Sequence, residues 1–421
     1  MNIKIMRTEY QIAKRISQSN NNADKTMSKP AIKVAFLGIV IGIMVMILTI
    51  FIAIGFKRAV TEKVSGFGGD IRVVNYDKNL TYEMQPIIAN DSLIHKILNV
   101  SNVNSAEVFI TKPAMIKTND SFEGIVLKGY VIDSTQNIHE GWQFFQDCLT
   151  DGHLPKQNQD IIISKTTATR LKLKVGNSIF CYFINDQIRA RKLNITGIYD
   201  SGFEEADRQF VVGNIKLLQQ LNGWNGSQVS GVEIRIKDFS KLDQTTTKIY
   251  YKTANVADSD GNFLDTQDLR QLNVAIFSWL ALLDMDVLVI ILLMLIVSGF
   301  NIISGLIILI LDHVQLIGTL KALGANNTFI SKIFLWQSLF LLIKGLFWGN
   351  ILGLTLALLQ YLFHIIPLDS TTYYVSYVPI CFHWGWWLLL NIGTLIISML
   401  ILLIPTQIIA RISPSEVMKF D

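Results

Sequence analysis

The chain has 421 residues, of which 50% are hydrophobic and 17% are charged, and its formal net charge is +4. The apolar residues are concentrated in four long segments, which excludes an ordinary soluble globular protein. The small net charge and the lack of a basic patch interleaved with aromatic residues exclude a nucleic-acid-binding function.

The first elements are a basic N-terminal segment and a first membrane span. Residues 1–33 are polar and basic, and the stretch RTEYQIAKRI predicts either an amphipathic interfacial helix or a solvated positive tail. Residues 34–56 carry no charge, and a helix of this length spans a bilayer core of about 30 Å. Seven lysines and arginines precede this run, so we expect an uncleaved signal anchor with a cytoplasmic N-terminus.

Residues 57–275 have the composition of a large α+β domain. Seven stretches rich in β-branched residues predict strands: GGDIRVVNY, SAEVFITKPAMI, FEGIVLKGYVI, DIIIS, SIFCYF, RKLNITGIY and SGVEIRIK. Short helices are predicted at DSLIHKILN, KTTATRLKL and NIKLLQQLN, the last with Asn214 as its N-cap. A further helical pattern begins near Leu264, in LDTQDLRQLNVAIFSWLALL, and is predicted to continue into the second span.

Three more apolar segments predict spans, and they cover residues 287–311, 333–366 and 384–409. The loop 312–332 carries Lys321 and Lys332, whereas no lysine or arginine lies between Gly345 and Trp384. The predicted fold is therefore a membrane protein with four transmembrane helices and a large extracytoplasmic α+β domain between the first and second spans.

In this topology both chain termini lie in the cytoplasm, and so do the loop 312–332 and the tail 410–421. The α+β domain and the loop 367–383 lie outside. Lys344 interrupts the third apolar segment, and we expect it to reach the inner interface ahead of a buried part over residues 345–366.

Glycines recur at four-residue intervals in two of the spans. Gly38 and Gly42 share one face of the first span, and Gly345, Gly349 and Gly353 share one face of the third. Such faces allow helix backbones to approach closely in lipid. We favour packing within one subunit over a dimer interface, and both interpretations predict a helix bundle.

The stretch LIGTLKALGANN predicts a short amphipathic helix in the cytoplasmic loop between the second and third spans. Gly324 stands where a left-handed residue would end this helix. The helix could dock its apolar face in a groove of a partner or connect the spans without a partner. The apolar residues of this face are Leu316, Ile317, Leu320 and Leu323.

Motifs of catalysis and metal binding are missing from the sequence. There is no P-loop and not even a Gly-Lys pair, no zinc spacing and no G-x-S-x-G. We therefore predict no catalytic, cofactor-binding or metal residues and no enzyme activity of the chain by itself. Cys148 and Cys181 both fall in the outer domain, and the sequence leaves open whether they pair.

The segment SGFNIISGLIILILDHVQLIGTLKALGANNTFISKIFLWQSLFLL resembles the core of the FtsX-like and MacB-like ABC permease superfamily, and most closely its lipoprotein-releasing LolC/LolE branch. Within it, IGTLKALGA is similar to the motif through which these permeases contact their ATPase. STTYYVSYVPI, ISPSEVMKFD and two stretches of the outer domain, LPKQNQDIIISKTTATRLKLKVGNSI and ITGIYDSGFEEADRQF, are also similar to this branch.

The resemblance implies an ABC transporter permease of the bacterial inner membrane that works by mechanotransmission. Its expected partners are a soluble ABC ATPase subunit, a second permease copy that is identical or paralogous, lipoprotein cargo and a periplasmic lipoprotein carrier. The outer domain would contain porter-like parts at 67–140 and 230–265 and an inserted subdomain at 141–229. The implied ATPase-coupling residues are Leu316, Ile317, Leu320, Lys321, Leu323, Gly324 and Ala325.

Two further points concern the carrier and the acyl chains of the cargo. The stretch CYFINDQIRARKL is short and lacks the proline of a carrier-recruiting hook, so the sequence leaves open whether the carrier docks on this chain. Flexible or bulky side chains on the first two spans could contact acyl chains, although ordinary lipid-facing residues look the same. These residues are Met44, Met46, Phe51, Phe56, Met294 and Phe300.

Two alternative functions stay open. One is an FtsX-like signal transmitter that activates a cell-wall hydrolase, although the outer domain is large for that role. The other is a MacB-like exporter of small molecules or peptides.

Overall fold

The computed structural model describes residues 10–15, 28–76, 82–118, 122–132, 140–184, 188–254 and 261–405. Residues 7–9 and 16 of the predicted amphipathic stretch RTEYQIAKRI and the C-terminal ending ISPSEVMKFD lie outside these residues, and residues 10–15 are helical. The chain divides into two compact units. The helical unit comprises Met1–Lys57, Leu280–Ile366 and Val378–Asp421, and the α+β unit comprises Arg58–Trp279 and Pro367–Tyr377.

Each unit is formed by more than one segment of the chain, and the elements follow one another in this order. The helices are α1 (Ser28–Gly68), α2 (Asp91–Leu98), α3 (Glu140–Asp147), α4 (Lys165–Leu171), α5 (Glu204–Gln209), α6 (Ile215–Asn222), α7 (Leu242–Thr253), α8 (Leu269–Leu272), α9 (Val274–Asp312), α10 (Val314–Ala322), α11 (Asn327–Phe363), α12 (Ser370–Tyr373) and α13 (Trp384–Leu402), with a 3₁₀ turn at Phe239–Lys241. The strands are β1 (Ile71–Asn75), β2 (Ile87–Ile88), β3 (Val103–Lys117), β4 (Phe122–Tyr130), β5 (Leu149–Gly152), β6 (Asp160–Ser164), β7 (Ser178–Ile184), β8 (Ile188–Tyr199), β9 (Phe210–Asn214), β10 (Gln228–Val229), β11 (Gly231–Ile236) and β12 (Leu264–Asp268).

Helices α1, α9, α11 and α13 contain the predicted spans, and each is long and apolar enough to cross a membrane. Helix α1 has 41 residues and extends beyond the apolar run at both ends. Helix α11 ends at Phe363 because His364 adopts a left-handed conformation with φ of 47°. The prediction of helix up to residue 366 was therefore wrong by three residues.

The glycine faces pack within the helical unit. A Cβ at Gly345 would meet Ile39 Cγ2 at 2.6 Å, and one at Gly349 would meet Ile43 Cβ at 2.9 Å. Gly353 lies against Ile47 in the same way, at 3.3 Å. A ridge of β-branched side chains on α1 therefore fits into a groove of glycines on α11, as the intrasubunit interpretation predicts.

The glycine face of α1, formed by Gly38 and Gly42, lies against α9. A Cβ at Gly38 would meet the side-chain amide of Asn301 at 2.1 Å, and one at Gly42 would lie 3.8 Å from Ser298 Cβ. Residue numbers rise on α1 while they fall on α9, so these two helices run antiparallel, whereas α1 and α11 run parallel. Hydrogen bonds among Asn350, Trp387 and Asn391 join α11 to α13.

The α+β unit is built on one ten-stranded sheet. The strand order is β12-β1-β11-β3-β4-β9-β6-β8-β5, and β7 pairs with β3 and β8. The pairs β4/β9 and β6/β8 are parallel, and the other pairs are antiparallel. Strands from the predicted insert 141–229 join the same sheet as strands from the predicted porter-like parts, through β4/β9 and β3/β7.

Each of the seven predicted strand stretches contains a strand, but the helical pattern predicted from Leu264 was wrong at its start. Residues 264–268 form strand β12, which pairs with β1 along its whole length. Leu264, Thr266 and Asp268 are buried in alternation, which is the period of a strand. Asp268 then caps α8 in a capping box with Gln271.

The cysteines do not pair. Cys148 is half-buried after α3, Cys181 is buried in β7, and both are free thiols. Burial raises the pKa of the Cys181 thiol to about 12 and, aided by nearby carboxylates, that of Cys148 to about 11. Both groups are therefore unreactive at neutral pH.

Candidate functional site

The predicted coupling stretch forms a compact loop between α9 and α11. Only His313 separates α9 from α10, and its Nδ1 lies 3.0 Å from the carbonyl oxygen of Leu309. Only residues 323–326 separate α10 from α11. Asn326 caps α11, since its side-chain oxygen accepts a hydrogen bond from the Phe329 amide at 2.9 Å. Both connections are thus too short and too well bonded to move as flexible linkers.

The apolar face of α10 is divided between the chain's own core and the exterior. Ile317 is fully buried and packs in the same core as Ile330 and Phe334 of α11, and Leu320 is half-buried against that core. The prediction that Ile317 offers its side chain to a partner was therefore wrong, because the helical unit itself covers that edge of the face. Leu316 is half-buried.

Leu323 lies at the opposite edge of the face and is 80% exposed. The exposed side chains of α10 recur at Gln315, Thr319 and Ala322, which is the spacing of one helix face. Leu323 is the large apolar residue on this otherwise polar or small surface. A partner that docks against α10 would therefore meet Leu323.

Gly324 fixes the direction in which Leu323 points. Its φ is +87°, a left-handed conformation that favours glycine. The Ala325 amide donates to the carbonyl oxygen of Leu320 and the Gly324 amide to that of Lys321, both at 3.0 Å. These two bonds form a Schellman motif, so the helix end carrying Leu323 is held by backbone hydrogen bonds.

A second unusual arrangement lies within the α+β unit, at the C-terminus of α1. Three cations bond to three successive terminal carbonyl oxygens of this helix. Lys128 of β4 donates to Phe67, Arg72 of β1 donates to Gly68 at 3.1 Å, and Arg235 of β11 donates to Gly66 at 3.2 Å. The carbonyl oxygens at a helix C-terminus carry partial negative charge, so cations there are stabilising. We call this arrangement the helix joint.

Glu233 neutralises part of the positive charge of the helix joint. Its carboxylate lies 2.6 Å from Lys128 Nζ and 3.0 Å from Arg72, and it accepts a hydrogen bond from Tyr130 at 2.8 Å. Lys128 is fully buried and Glu233 is 6% exposed. Burial lowers the pKa of Lys128 to about 7 against the opposing pull of Glu233. Burial alone would raise the pKa of Glu233, but Lys128 and Arg72 hold it below its usual value.

The turn from α1 into β1 is also closely bonded. Gly69 has φ of +67° and donates to the carbonyl oxygen of Ser65 at 2.7 Å. Ser65 donates to the carboxylate of Asp70 at 2.7 Å, and the other oxygen of Asp70 accepts the Ile236 amide at 2.9 Å. The last turn of α1 is therefore attached to β1 and β11 by side-chain and backbone bonds.

Three of the residues predicted to contact acyl chains are buried in the structure. Met46 and Phe51 are fully buried and Phe56 is 8% exposed, all within their own chain. Phe51 packs edge-to-face on Phe382, with ring centroids 5.3 Å apart. These three residues fill the core of the chain, so the prediction was wrong for them. Met44 and Met294 are half-buried and Phe300 is 66% exposed, and for these residues the prediction stays untested.

The helix joint was missed at the level of the sequence. The available signal was one charged residue inside each of two otherwise apolar strand stretches, Lys128 in FEGIVLKGYVI and Glu233 in SGVEIRIK. A buried charge needs a partner, but a sequence does not show which strands pair. Among the described residues no group of three or more histidine, cysteine or acidic side chains could hold a metal ion.

The chain has the features of a multi-pass membrane permease without its own nucleotide motif. These features are four candidate spans, a capped loop between the second and third spans, and an α+β unit that follows the first span in the chain. The family model of the MacB-like periplasmic core domain matches residues 34–250, more than half of the chain, and that of the FtsX-like permease C-terminal region matches residues 288–414. The chain belongs to the family of FtsX-like and MacB-like ABC transporter permeases.

Curated relatives match nearly the whole chain. The lipoprotein-releasing system transmembrane protein LolC of Xylella fastidiosa is 22% identical over 405 residues, which cover 92% of this chain and 93% of the relative. LolE of Haemophilus influenzae is 21% identical over 415 residues, covering 92% and 94%. The crystal structure of the periplasmic region of MacB from Actinobacillus actinomycetemcomitans aligns with 52% of this chain and 97% of its own, at 11% identity and a TM-score of 0.34.

Proposed function

We propose that this chain is the permease subunit of an ABC transporter that extracts lipoproteins from the bacterial inner membrane, using ATP hydrolysed by a separate subunit. The observation that carries the ATPase coupling is the capped loop, which exposes Leu323 while Ile317 anchors α10 in the bundle. The cargo is proposed from the relatives, since LolC and LolE are named as lipoprotein-releasing proteins and match over 92% of this chain.

The directions of the helices support the proposed topology. Span 1 runs antiparallel to span 2 and parallel to span 3, so the chain crosses the bilayer in alternating directions. The loop 313–326 and the α+β region then face opposite sides of the membrane. The positive-inside rule places the side with Lys321 and Lys332 in the cytoplasm. The α+β region is then periplasmic, and both termini are cytoplasmic.

The helix joint suggests how motion reaches the periplasmic domain. Helix α1 continues from the first span to Gly68 without a break. Its N-terminal half packs against α9 and α11, and its last three residues are bonded to β1, β4 and β11. Movement imposed on the spans by the ATPase would therefore pull directly on the sheet. In this mechanism, which is mechanotransmission, α1 connects the spans to the sheet.

The coupling is tested with Leu323→Asp. Burying Leu323 in a pocket of the ATPase would make it a binding hot spot of about 2 kcal/mol, so the variant is expected to bind the ATPase about 30-fold more weakly. The measurement is co-purification and titration of the ATPase with the full chain in detergent. Leu323→Met is the matched control and should keep wild-type affinity. Wild-type affinity of Leu323→Asp would rule out this contact.

Leu320→Asp is a poorer test because Leu320 packs on the chain's own core, so loss of binding could follow from misfolding.

The cargo is tested by depleting the protein and fractionating the cell envelope. Lipoproteins retained in the inner membrane are the expected result. Normal lipoprotein sorting with a cell-wall defect would instead support signal transmission to a hydrolase. Normal sorting with loss of a secreted small molecule or peptide would support an exporter. A second permease copy is part of the proposal, and cross-linking of the purified complex would show whether it is identical or a paralogue.

A further inference from the structure

The N-terminal helix, residues 10–15, packs on α11 within the helical unit. The ring of Tyr10 lies edge-on against two rings of α11, with centroid distances of 5.4 Å to Trp336 and 5.6 Å to Phe340. Edge-to-face contact is a preferred geometry of aromatic pairs. Ala13 of the same helix is fully buried. The N-terminal helix is therefore held on α11, and nothing in the coupling mechanism uses this contact.

The two aromatic residues of α11 share one helix face with a lysine. Trp336, Phe340 and Lys344 follow one another at intervals of four residues, which is the spacing of one face. Lys344 is exposed on the surface of the helical unit, although it stands in the apolar segment 333–366. A charged group on the lipid-facing surface of a span has to reach the headgroup region, where it can meet water or an anion.

The position of Lys344 along its span brings the ammonium group to headgroup level. Gly345 packs on Ile39 of α1, five residues after Val34, where the apolar run of α1 begins. Five residues of helix rise about 7.5 Å. A lysine side chain is about 6 Å long, and side chains on a helix lean toward the N-terminus of that helix. The ammonium group of Lys344 therefore reaches back nearly to the start of the apolar run, close to the level of Phe340.

The sequence around this face has many cations and few acidic residues. Residues 313–368 contain no aspartate or glutamate. The first 33 residues contain Glu9 and Asp24 against seven lysines and arginines. On the N-terminal helix Lys14 and Arg15 are both exposed. The charge of this region therefore fits a partner that is negatively charged.

A phospholipid fits both the charge and the aromatic rings. Tryptophan and tyrosine prefer the level of the headgroups in a bilayer, and a phosphate is a strong partner for an ammonium group. An acidic protein surface would have to reach Lys344 among apolar side chains, whereas a lipid is already there. We propose that this face binds an anionic phospholipid, with the exposed cations of the N-terminal helix adding attraction. The face, which we call the lipid face, consists of Tyr10, Trp336, Phe340 and Lys344.

The lipid face lies on the helix that follows the coupling loop, because α11 begins at Asn327, directly after its cap. A bound lipid would tie the N-terminal helix to α11 at this point. Only the choice of leaflet rests on the proposed function, whose topology places the lipid in the inner leaflet. Binding itself needs neither cargo nor ATP, so it can be tested separately from lipoprotein release.

The binding test uses the full chain in phosphatidylcholine nanodiscs that contain a trace of a photoreactive lipid in both leaflets. The probe is phosphatidylglycerol with a diazirine beside its glycerol backbone, and phosphatidylcholine with the same diazirine is the reference. We expect phosphatidylglycerol to label residues 10–15 and 336–344, mapped by mass spectrometry, about tenfold more than the reference does. Equal labelling by the two lipids would overturn the proposal.

Three variants show whether Lys344 provides the selectivity. Lys344→Gln removes the charge from an exposed side chain, so the preference for phosphatidylglycerol should fall about fivefold while thermal unfolding stays as in wild type. Lys344→Arg keeps the charge and should keep the preference. Lys33→Gln is the matched control, since Lys33 is an exposed lysine near the start of α1, and it should label as wild type. If Lys344→Gln keeps the full preference, or Lys33→Gln loses as much, the attraction is that of a general basic flank and the inference fails.

The competing occupant of the lipid face is an acidic surface of the ATPase. The labelling is therefore repeated with the ATPase bound to the full chain. We expect the phosphatidylglycerol label to persist, because the proposed ATPase contact is Leu323 on α10 and the lipid face is on α11. A label that disappears in proportion to the bound ATPase would assign the face to the protein partner and refute lipid binding there. A failure of lipoprotein release would count against the proposed function and leave the labelling result unchanged.

Discussion

Removing the ammonium group of Lys128 should weaken the helix joint more than any exposed lysine could. In Lys128→Met the Phe67 carbonyl loses a donor, and Glu233 loses the closest of its cations, at 2.6 Å. Removing one partner of a buried ion pair costs about 3–5 kcal/mol. Glu233 keeps Arg72 at 3.0 Å and Tyr130 at 2.8 Å, so we expect the lower end, about 3 kcal/mol.

The assay is hydrogen–deuterium exchange of peptides from β4 and β11 in the full chain at pH 7, which reports the local free energy of opening. A loss of about 3 kcal/mol should speed exchange by about two orders of magnitude. Lys192→Met is the matched control, because Lys192 is an exposed lysine on β8 and its loss should change the free energy by less than about 0.5 kcal/mol.

A double-mutant cycle shows whether the two side chains act together. Glu233→Gln alone leaves the buried Lys128 and the half-buried Arg72 without their carboxylate, so it should also be strongly destabilising. Lys128→Met with Glu233→Gln removes both charges of the closest pair and should cost about 2 kcal/mol less than the sum of the single changes. If the two losses add to within about 0.5 kcal/mol, the ion pair is not the source of the stability and the reasoning is refuted.

Three further predictions concern other parts of the structure. Gly349→Ala should destabilise the bundle by about 1–3 kcal/mol, because its Cβ would meet Ile43 Cβ at 2.9 Å. Gly393→Ala on α13 has open space around its Cβ and should be neutral or stabilising. Thermal unfolding in detergent checks this, and equal effects of the two changes would contradict it. Gly324→Ala should cost about 1–2 kcal/mol in exchange protection of α10 and Gly324→Asn less, because the position has φ of +87°; indistinguishable protection in all three proteins would mean that the Schellman motif does not hold the loop. Burial and the nearby Asp200 raise the pKa of Asp207 to about 7, despite a hydrogen bond from Ser201 that lowers it, so the folded state binds a proton more tightly than the unfolded state. The stability of the wild type relative to Asp207→Asn should therefore fall by up to about 1.4 kcal/mol per pH unit as the pH rises from about 4 to about 7, and parallel stability curves of the two proteins over this range would exclude the shift.

The membrane helices and most of the strands could be predicted from the sequence because their patterns have few competing interpretations. Uncharged runs of more than 20 residues form long helices, and the stretch DIIIS forms β6 as expected. Leu264–Asp268 was predicted as the start of a helix because the stretch LDTQDLRQLNVAIFSWLALL has a helical pattern. Pairing with β1 overrides that local preference, and a sequence does not show which segments will pair.

The face of α10 illustrates a second limit. Spacing placed Leu316, Ile317, Leu320 and Leu323 on one stripe, and the structure buries one edge of it while exposing the other. Helical periodicity predicts that a stripe is apolar but does not show how much of it the chain covers itself. For the same reason the buried Met46 and Phe51 could not be distinguished from lipid-facing residues on the first span.

The isoleucine ridge of α1 and the glycine groove of α11 both repeat every four residues, and this shared interval limits how the two helices can slide. Ile39, Ile43 and Ile47 now face Gly345, Gly349 and Gly353. A slide by one repeat of four residues, about 6 Å, would place two of the isoleucines on glycines again. A smaller slide would push their branched carbons against larger side chains. We therefore expect discrete relative positions of the two helices, in which span 1 moves together with span 3 or shifts past it by four residues.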